Sequence, residues 1–324
     1  MSIDGILNVL KPPDKTSFQV VALVRQLSGE RRVGHTGTLD PYATGVLPVC
    51  LGQATRVIEF MSGDSKTYRA EVQLGATTDT YDFTGTILEE SDPSAVTEAQ
   101  VKKALEAFRG VVMQIPPMYS AIKHQGRPLY QLARMGIEVP RKPREVHIYR
   151  LELVEWRPPA FVLEVECSSG TYIRSLAHDI GHELGCGAFV KELERLRCGR
   201  FEIKDAVPLA SLQEAFCDDC WSVLLHPMDE VLMDWAAVIV DEGAERSIRN
   251  GRPVALEGAA RQTSQGRWAD WCRAYSTDGQ LLALLNWRSE GGLWHPSKVF
   301  HRVCCPRKGF SRSGCQCCSE GEIL

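Results

Sequence analysis

At 324 residues the chain is long for one domain, and 44% hydrophobic with 24% charged residues is ordinary globular composition with enough apolar content for a sizeable core, so two domains are expected. No apolar run approaches the roughly 20 residues that span a bilayer, and the opening MSIDGILNVLKPP has neither a basic region nor a long apolar stretch, so a cytoplasmic protein is expected. The formal net charge of −4, from 37 basic and 41 acidic residues, excludes a bulk electrostatic signature of nucleic-acid binding but not a local one.

In chain order, SFQVVALVRQL (17–27) places Phe18, Val21, Ala22 and Leu27 on one helical face, with Ser17 as N-cap. GHTGTLDPYATG (34–45) breaks the pattern with three glycines, three threonines, a histidine, an aspartate and a proline. A P-loop needs a lysine after its last glycine, and a dinucleotide fingerprint needs other glycine spacing. A metal would find two hard ligands here, His35 and Asp40, where several are wanted. What is left is a glycine-supported turn started by Asp40-Pro41, or a turn built to present Asp40.

YRAEVQLG (68–75) alternates as a half-buried strand, with Tyr68 at its start. TEAQVKKALEAF (97–108) carries a Thr97–Gln100 capping box ahead of a helical apolar face. Residues 109–147 fit no single element: five prolines punctuate them around one short helical piece, PLYQLARMG. From Lys123 to Arg150 there are seven basic residues against two acidic ones, the footprint of an arm that closes on something anionic, or of a solvated loop. FVLEVEC (161–167) alternates again, and TYIRSLAHDIGHEL (171–184) returns to helix with Tyr172 and Arg174 at its start. An arginine there is placed to meet a carboxylate from elsewhere in the fold and hold it ionised. A boundary falls near 225–235. Short strands follow at 236–240, 272–277 and 280–287, the last two joined by an Asp278-Gly279 hairpin turn, which suggests a small β-barrel. The twelve cysteines are read as reduced thiols, several of them crowding a tail that is expected to be disordered, and no metal is expected.

Read singly, Tyr68 and Tyr172 are core-edge aromatics and Arg174 a surface ion pair. Together with the long motifs GILNVLKPPDKTS, GHTGTLDPYATGVLPVCLGQATR, KTYRAEVQLGATTDTYDFTG, IPPMYSAIKHQGRPLYQLARMG, CSSGTYIRSLAHDIG and LGCGAFVKELERLRCGRF, they make the chain resemble the bacterial tRNA pseudouridine synthase B family, which modifies uridine-55 in the TΨC arm. The resemblance runs from Gly5 to about Phe300. It implies an α+β fold: a mixed, largely antiparallel sheet flanked by helices, with a C-terminal PUA-like β-barrel. The implied boundaries are a catalytic domain over 1–230 that includes the basic insertion, a PUA-like RNA-binding domain over 235–303, and a tail over 304–324.

By the same resemblance Asp40 is the catalytic aspartate, Tyr68 stacks on a flipped uracil and is a candidate to help move the C5 proton, and Arg174 pairs with Asp40. His35 lies against displaced loop nucleotides, Tyr172 and Leu196 line the base pocket, and Lys11, Lys123 and Arg134 face RNA. Tyr42, Ser169 and Glu194 depart from the family pattern; the latter two subtract positive charge near the RNA face. Isomerising a nucleoside changes no oxidation state, so no cofactor or metal is expected. The partner is the tRNA TΨC stem-loop, met by a monomer without a protein partner. Two alternatives stay open at this point: an RNA-guided synthase subunit, and a non-catalytic RNA-binding or tRNA-folding protein.

Overall fold

A computed structural model describes residues 3–218, 220–256 and 270–301; the cysteine-rich tail lies outside the described residues. The first strand, β1 (Gly5–Lys11), is buried along nearly its whole length, as its almost continuous apolar run requires. Helix α1 (Ser17–Ser28) starts one residue earlier than expected, with Thr16 rather than Ser17 as N-cap, in a capping box with Gln19. Its buried face is Ser17, Val20, Val21 and Val24, so Phe18 points outward and is 68% exposed. Strands β2 (Val33–His35) and β3 (Thr44–Leu51) bracket the glycine- and threonine-rich turn. After a 3₁₀ turn and α2 (Ile58–Met61), β4 (Lys66–Leu74) buries Tyr68, Ala70, Val72 and Leu74 on alternate positions, as its pattern predicts.

The hairpin β5 (Ala76–Thr78) and β6 (Ile87–Glu90) precedes α3 (Glu98–Glu106), which carries the expected Thr97–Gln100 capping box. The basic segment is less irregular than expected. It opens with β7 (Gly110–Gln114) on a sheet edge, passes through the two-residue strands β8 (Lys123–His124) and β9 (Arg127–Pro128) and α4 (Leu129–Arg134), and ends inside β10 (Arg144–Arg157). A small cluster of Met118, Leu129 and Leu132 holds it together. Then come β11 (Ala160–Cys167), α5 (Ile173–Glu183) and β12 (Ala188–Cys198), followed by β13 (Phe201–Glu202), β14 (Val207–Pro208), α6 (Leu209–Cys217) and β15 (Leu225–His226).

Apart from the separate pairs β5-β6 and β8-β9, these strands form one eleven-stranded sheet in the order β14-β1-β3-β12-β4-β11-β10-β7, with β2, β13 and β15 paired to β3, β12 and β1. Only β1/β14 and β3/β12 are parallel, so the sheet is mixed and largely antiparallel. Beyond it, β16 (Ala236–Ile239), α7 (Glu242–Arg249), β17 (Trp271–Tyr275), β18 (Leu281–Arg288) and β19 (Leu293–Val299) make a separate four-stranded sheet. This is the form that the expected small barrel takes in the described residues. The Asp278-Gly279 turn joins β17 to β18 as predicted, with Gly279 at φ 80°. The second sheet meets the first through Phe60, whose ring packs edge-on to Trp235 and Trp271 at 4.9 and 5.1 Å.

One row crosses the middle of the large sheet: Lys11 pairs with Gly45, Gly45 with Arg195, Arg195 with Tyr68 and Tyr68 with Val165. Directly paired residues share a face, so this row carries charged and aromatic side chains to one side. Gly45 is obligatory in it. Its φ is +105°, and a Cβ there would meet the Arg195 carbonyl oxygen at 2.3 Å and its nitrogen at 2.7 Å. Gly45→Ala is expected to lower stability by about 3 kcal/mol, read as a drop in the urea midpoint at unchanged slope.

Candidate active site

The turn between β2 and β3 is fastened on both sides of Asp40. Leu39 is held by Ser17, whose hydroxyl accepts from the Leu39 N–H at 2.9 Å and donates to its carbonyl at 3.3 Å. That explains why Ser17 is buried within the helix rather than capping it. The Lys11 ammonium donates to the Pro41 carbonyl at 2.9 Å, and Arg195 donates to the Gly37 carbonyl at 3.1 Å. Leu39 and Ala43 sink into the main core. The backbone around Asp40 is thus tied down while its carboxylate projects from the turn, with 30% of the side chain exposed.

Tyr172 occupies the N-cap position of α5, and its backbone is clasped by Gln114, which accepts from the N–H at 2.7 Å and donates to the carbonyl at 2.9 Å. Two residues on, Arg174 grips Asp40 with both edges of its fork, Nε to Oδ2 at 2.9 Å and Nη2 to Oδ1 at 3.0 Å. Its remaining donors reach the Thr80 carbonyl at 3.0 Å, the Tyr119 carbonyl at 2.9 Å and the Asp82 carboxylate at 3.4 Å. Burial pushes the Asp40 carboxyl above its ordinary range, an upward shift that Arg174 opposes and the Asp82 charge reinforces.

Asp82 is a residue that sequence reading missed. It is buried, and one oxygen accepts from the Thr80 hydroxyl at 2.7 Å and from the Thr84 N–H at 3.0 Å. The signal was present in TDTYDFT, where an aspartate flanked by threonines is the pattern of a side chain that bonds its own loop.

Tyr68 is buried on β4 beside Arg195, and burial pushes its phenol up to about 12 against the pull of that guanidinium. His35 accepts from the Gly37 N–H through Nδ1 at 3.2 Å, so the neutral ring carries its proton on Nε2; burial, then the Arg195 charge, lower its pKa. Tyr42 packs edge-on to Phe83 with ring centroids 5.3 Å apart.

Three expectations need correction or sharpening. Lys11 does not face outward: it is wholly buried and holds the Asp40 turn, and burial pulls its ammonium down to about 8. Leu196 lines a hollow with Thr67, Arg150, Glu164, Arg197 and Lys204, and is not among the partners of Asp40 or Arg174. Lys123 and Arg134 are exposed on the arm, as expected of partner-facing cations, but lie outside the Asp40 cluster. Arg134 rests its guanidinium over the Tyr130 ring at 5.5 Å.

With Arg174 removed, the buried Asp82 carboxylate keeps its threonine donors but loses its cation. Arg174→Ala is therefore expected to cost about 3–5 kcal/mol in urea unfolding, and adding Asp82→Asn should restore part of that loss.

The geometry can be set beside known proteins. Residues 25–173 match the model of the TruB family pseudouridylate synthase N-terminal domain, and residues 174–233 match the tRNA pseudouridylate synthase B C-terminal domain. The tRNA pseudouridine synthase B of Dehalococcoides mccartyi is 44% identical over 300 residues, covering 93% of this chain and 97% of that one. That of Clostridium tetani is 44% identical over 252 residues, covering 78% and 86%. Among solved structures, a Cbf5-Nop10-Gar1 complex contains a chain that superposes with a TM-score of 0.71 at 28% identity, covering 92% of this chain and 85% of that one. An H/ACA RNP bound to a substrate RNA containing 2′-deoxyuridine gives a TM-score of 0.69 at 26% identity, with the same coverage. With two family models over most of its large sheet and relatives this similar along almost its full length, the chain belongs to the TruB family of pseudouridylate synthases.

Proposed function

We propose that this protein is a tRNA pseudouridine synthase that isomerises uridine-55 of the TΨC loop, with Asp40 as its catalytic carboxylate. The observation that carries this reading is the two-pronged grip of a buried arginine on a carboxylate that is itself open to solvent. The reaction breaks the N1–C1′ bond, turns the base and forms C5–C1′; the C5 proton leaves and N1 takes one up, so atoms and electrons balance. An ionised Asp40 serves it either by bonding to C1′ or by helping to remove the C2′ proton, and both need the charged form. Arg174 keeps that charge available against the desolvation that closing the site imposes.

The target base lies in a folded loop and has to be extruded before any of this chemistry can reach it. Tyr68, which the upward shift of its phenol keeps protonated at neutral pH, offers a flat ring for the base, with Tyr172 nearby in sequence to Arg174. His35, neutral and carrying its proton on Nε2, is the donor available to displaced nucleotides. The exposed cations Lys123 and Arg134 would bind phosphate, and the domain expected over 235–303, to which the second sheet belongs, would act as a PUA-like clamp on the same RNA. The relatives named for tRNA are more similar to this chain than the chain from the Cbf5-Nop10-Gar1 complex, which favours a cytoplasmic enzyme that works on tRNA as a monomer, without a protein partner.

Incubating the purified chain alone with an in vitro transcribed tRNA, then mapping the product by mass spectrometry, is expected to find one pseudouridine at position 55. Asp40→Asn should lower the single-turnover rate by on the order of 10⁴-fold while tRNA affinity stays within roughly threefold; activity that survives the substitution would end the assignment. The upward shift of Asp40 sets the sign of the pH dependence. As pH falls through the shifted value the carboxylate takes up a proton and the rate is lost, so the acid limb should have its midpoint above the ordinary 3.8. On the binding side, Lys123→Ala and Arg134→Ala should each flatten the salt dependence of tRNA affinity by about 0.7–0.9 in log–log slope.

A further inference from the structure

Arg195 is wholly buried on β12, and among the described residues no carboxylate pairs with it. A guanidinium without a counter-ion is expensive to bury, and an aliphatic side chain would fill the same place in the sheet at no such cost. Its hydrogen bonds show what it does instead. Nε donates to the Val46 carbonyl at 2.7 Å and Nη2 to the Gly37 carbonyl at 3.1 Å, so one planar group closes the turn that carries Asp40 from both ends. Across the sheet it is the direct register partner of Gly45 on one flank and of Tyr68 on the other. Lys11, on the far side of Gly45, holds the Pro41 carbonyl of the same turn.

We propose that Arg195 is a positioning residue that fixes the Asp40 turn and the Tyr68 ring in one frame, so that carboxylate and aromatic ring meet the same flipped nucleotide. The inference rests on the assignment of Asp40 and Tyr68 to the reaction. A lysine cannot do this work, because a single ammonium has no fixed fork with which to bridge Val46 and Gly37. The guanidinium also acts on Tyr68 through its charge, which favours the ionised phenol. Removing it should therefore leave a chemical trace as well as a mechanical one.

The test compares Arg195→Lys and Arg195→Gln with the parent on a TΨC stem-loop transcript. It reads single-turnover rate, Kd, and the titration of Tyr68 by ¹³C NMR, with the resonance assigned in a Tyr68→Phe sample. Both variants should lose on the order of 10²-fold in rate with Kd within roughly threefold. In Arg195→Gln the Tyr68 phenol should ionise at a higher pH than in the parent. A soluble variant of either kind at the parent rate, or a rate loss matched by an equal loss of affinity, overturns the proposal. Should both variants fail to fold, the parent protein decides: a clamped guanidinium gives two distinct, slowly exchanging Nη signals, and an averaged signal overturns the proposal. Failure of the underlying site assignment is seen separately, as activity retained in Asp40→Asn.

Discussion

The burial of the Arg174 cation draws the loops of this site together. The Arg174 side chain is only 5% exposed, and a guanidinium so far from water is tolerable only if its donors are met by fixed acceptors. Those acceptors come from the β2–β3 turn through Asp40, from the loop after β5 through Thr80 and Asp82, and from the basic arm through Tyr119. Three segments distant in sequence are thereby required to converge on the first turn of α5. The two carboxylates then divide the roles between them. Asp82 is buried and has an oxygen saturated by Thr80 and Thr84, so it serves as a fixed counter-charge. Asp40 has no such cage. Its side chain is 30% exposed, leaving lone pairs open to solvent, and that asymmetry is what favours it as the reactive one of the pair in the proposed function.

The sheet supplies what the ion pair cannot, namely the position of the turn. Turns are soft, and a carboxylate at the tip of one would wander by more than the fraction of an ångström that chemistry tolerates. Here the carbonyls of Gly37 and Pro41 and both backbone groups of Leu39 are held by side chains from β12, β1 and α1. These are rigid elements in the middle of the fold, not other loops. The lack of a Cβ at Gly45 lets β3 lie against the backbone of Arg195, so the turn leaves the sheet at a point of close backbone contact.

Much of this was legible in the sequence, and what was not has a common physical cause. Alternation in 68–75 and the Thr97–Gln100 box announced β4 and α3, because local patterning and capping are local properties. The Asp40, Arg174 pair was visible because an exposed reactive carboxylate needs a cation and long motifs flank both. The helical face of α1 was read one step out of phase because Ser17 is polar, and only the long-range bond to Leu39 makes burying it favourable. Lys11, outward-facing only by the resemblance, is instead buried, its ammonium held by the Pro12 carbonyl and by the Pro41 carbonyl 30 residues away. Arg195 shares that logic, whereas Asp82 bonds locally to Thr80 and Thr84 and is set apart by its ion pair with Arg174. Composition and spacing predict where a polar side chain goes when water is its partner, and they fail where the partner is a backbone group brought up by tertiary structure.

The basic arm is fastened to the Asp40 cluster at several points. Its tip carries the exposed Lys123, Arg127 and Arg134, whereas its base is bolted to α5 by Gln114 on Tyr172 and by Ser175 on the Ile115 carbonyl. Between tip and base, the Tyr119 carbonyl takes a hydrogen bond from the same Nη2 that grips Asp40. A displacement of the arm at Tyr119 would thus reach the group that holds the Asp40 carboxylate. The arm cannot shift at Tyr119 without that nitrogen losing one of its two acceptors and turning wholly to Asp40. The position of the arm at Tyr119 and the hold on Asp40 are in this way consequences of one set of hydrogen bonds.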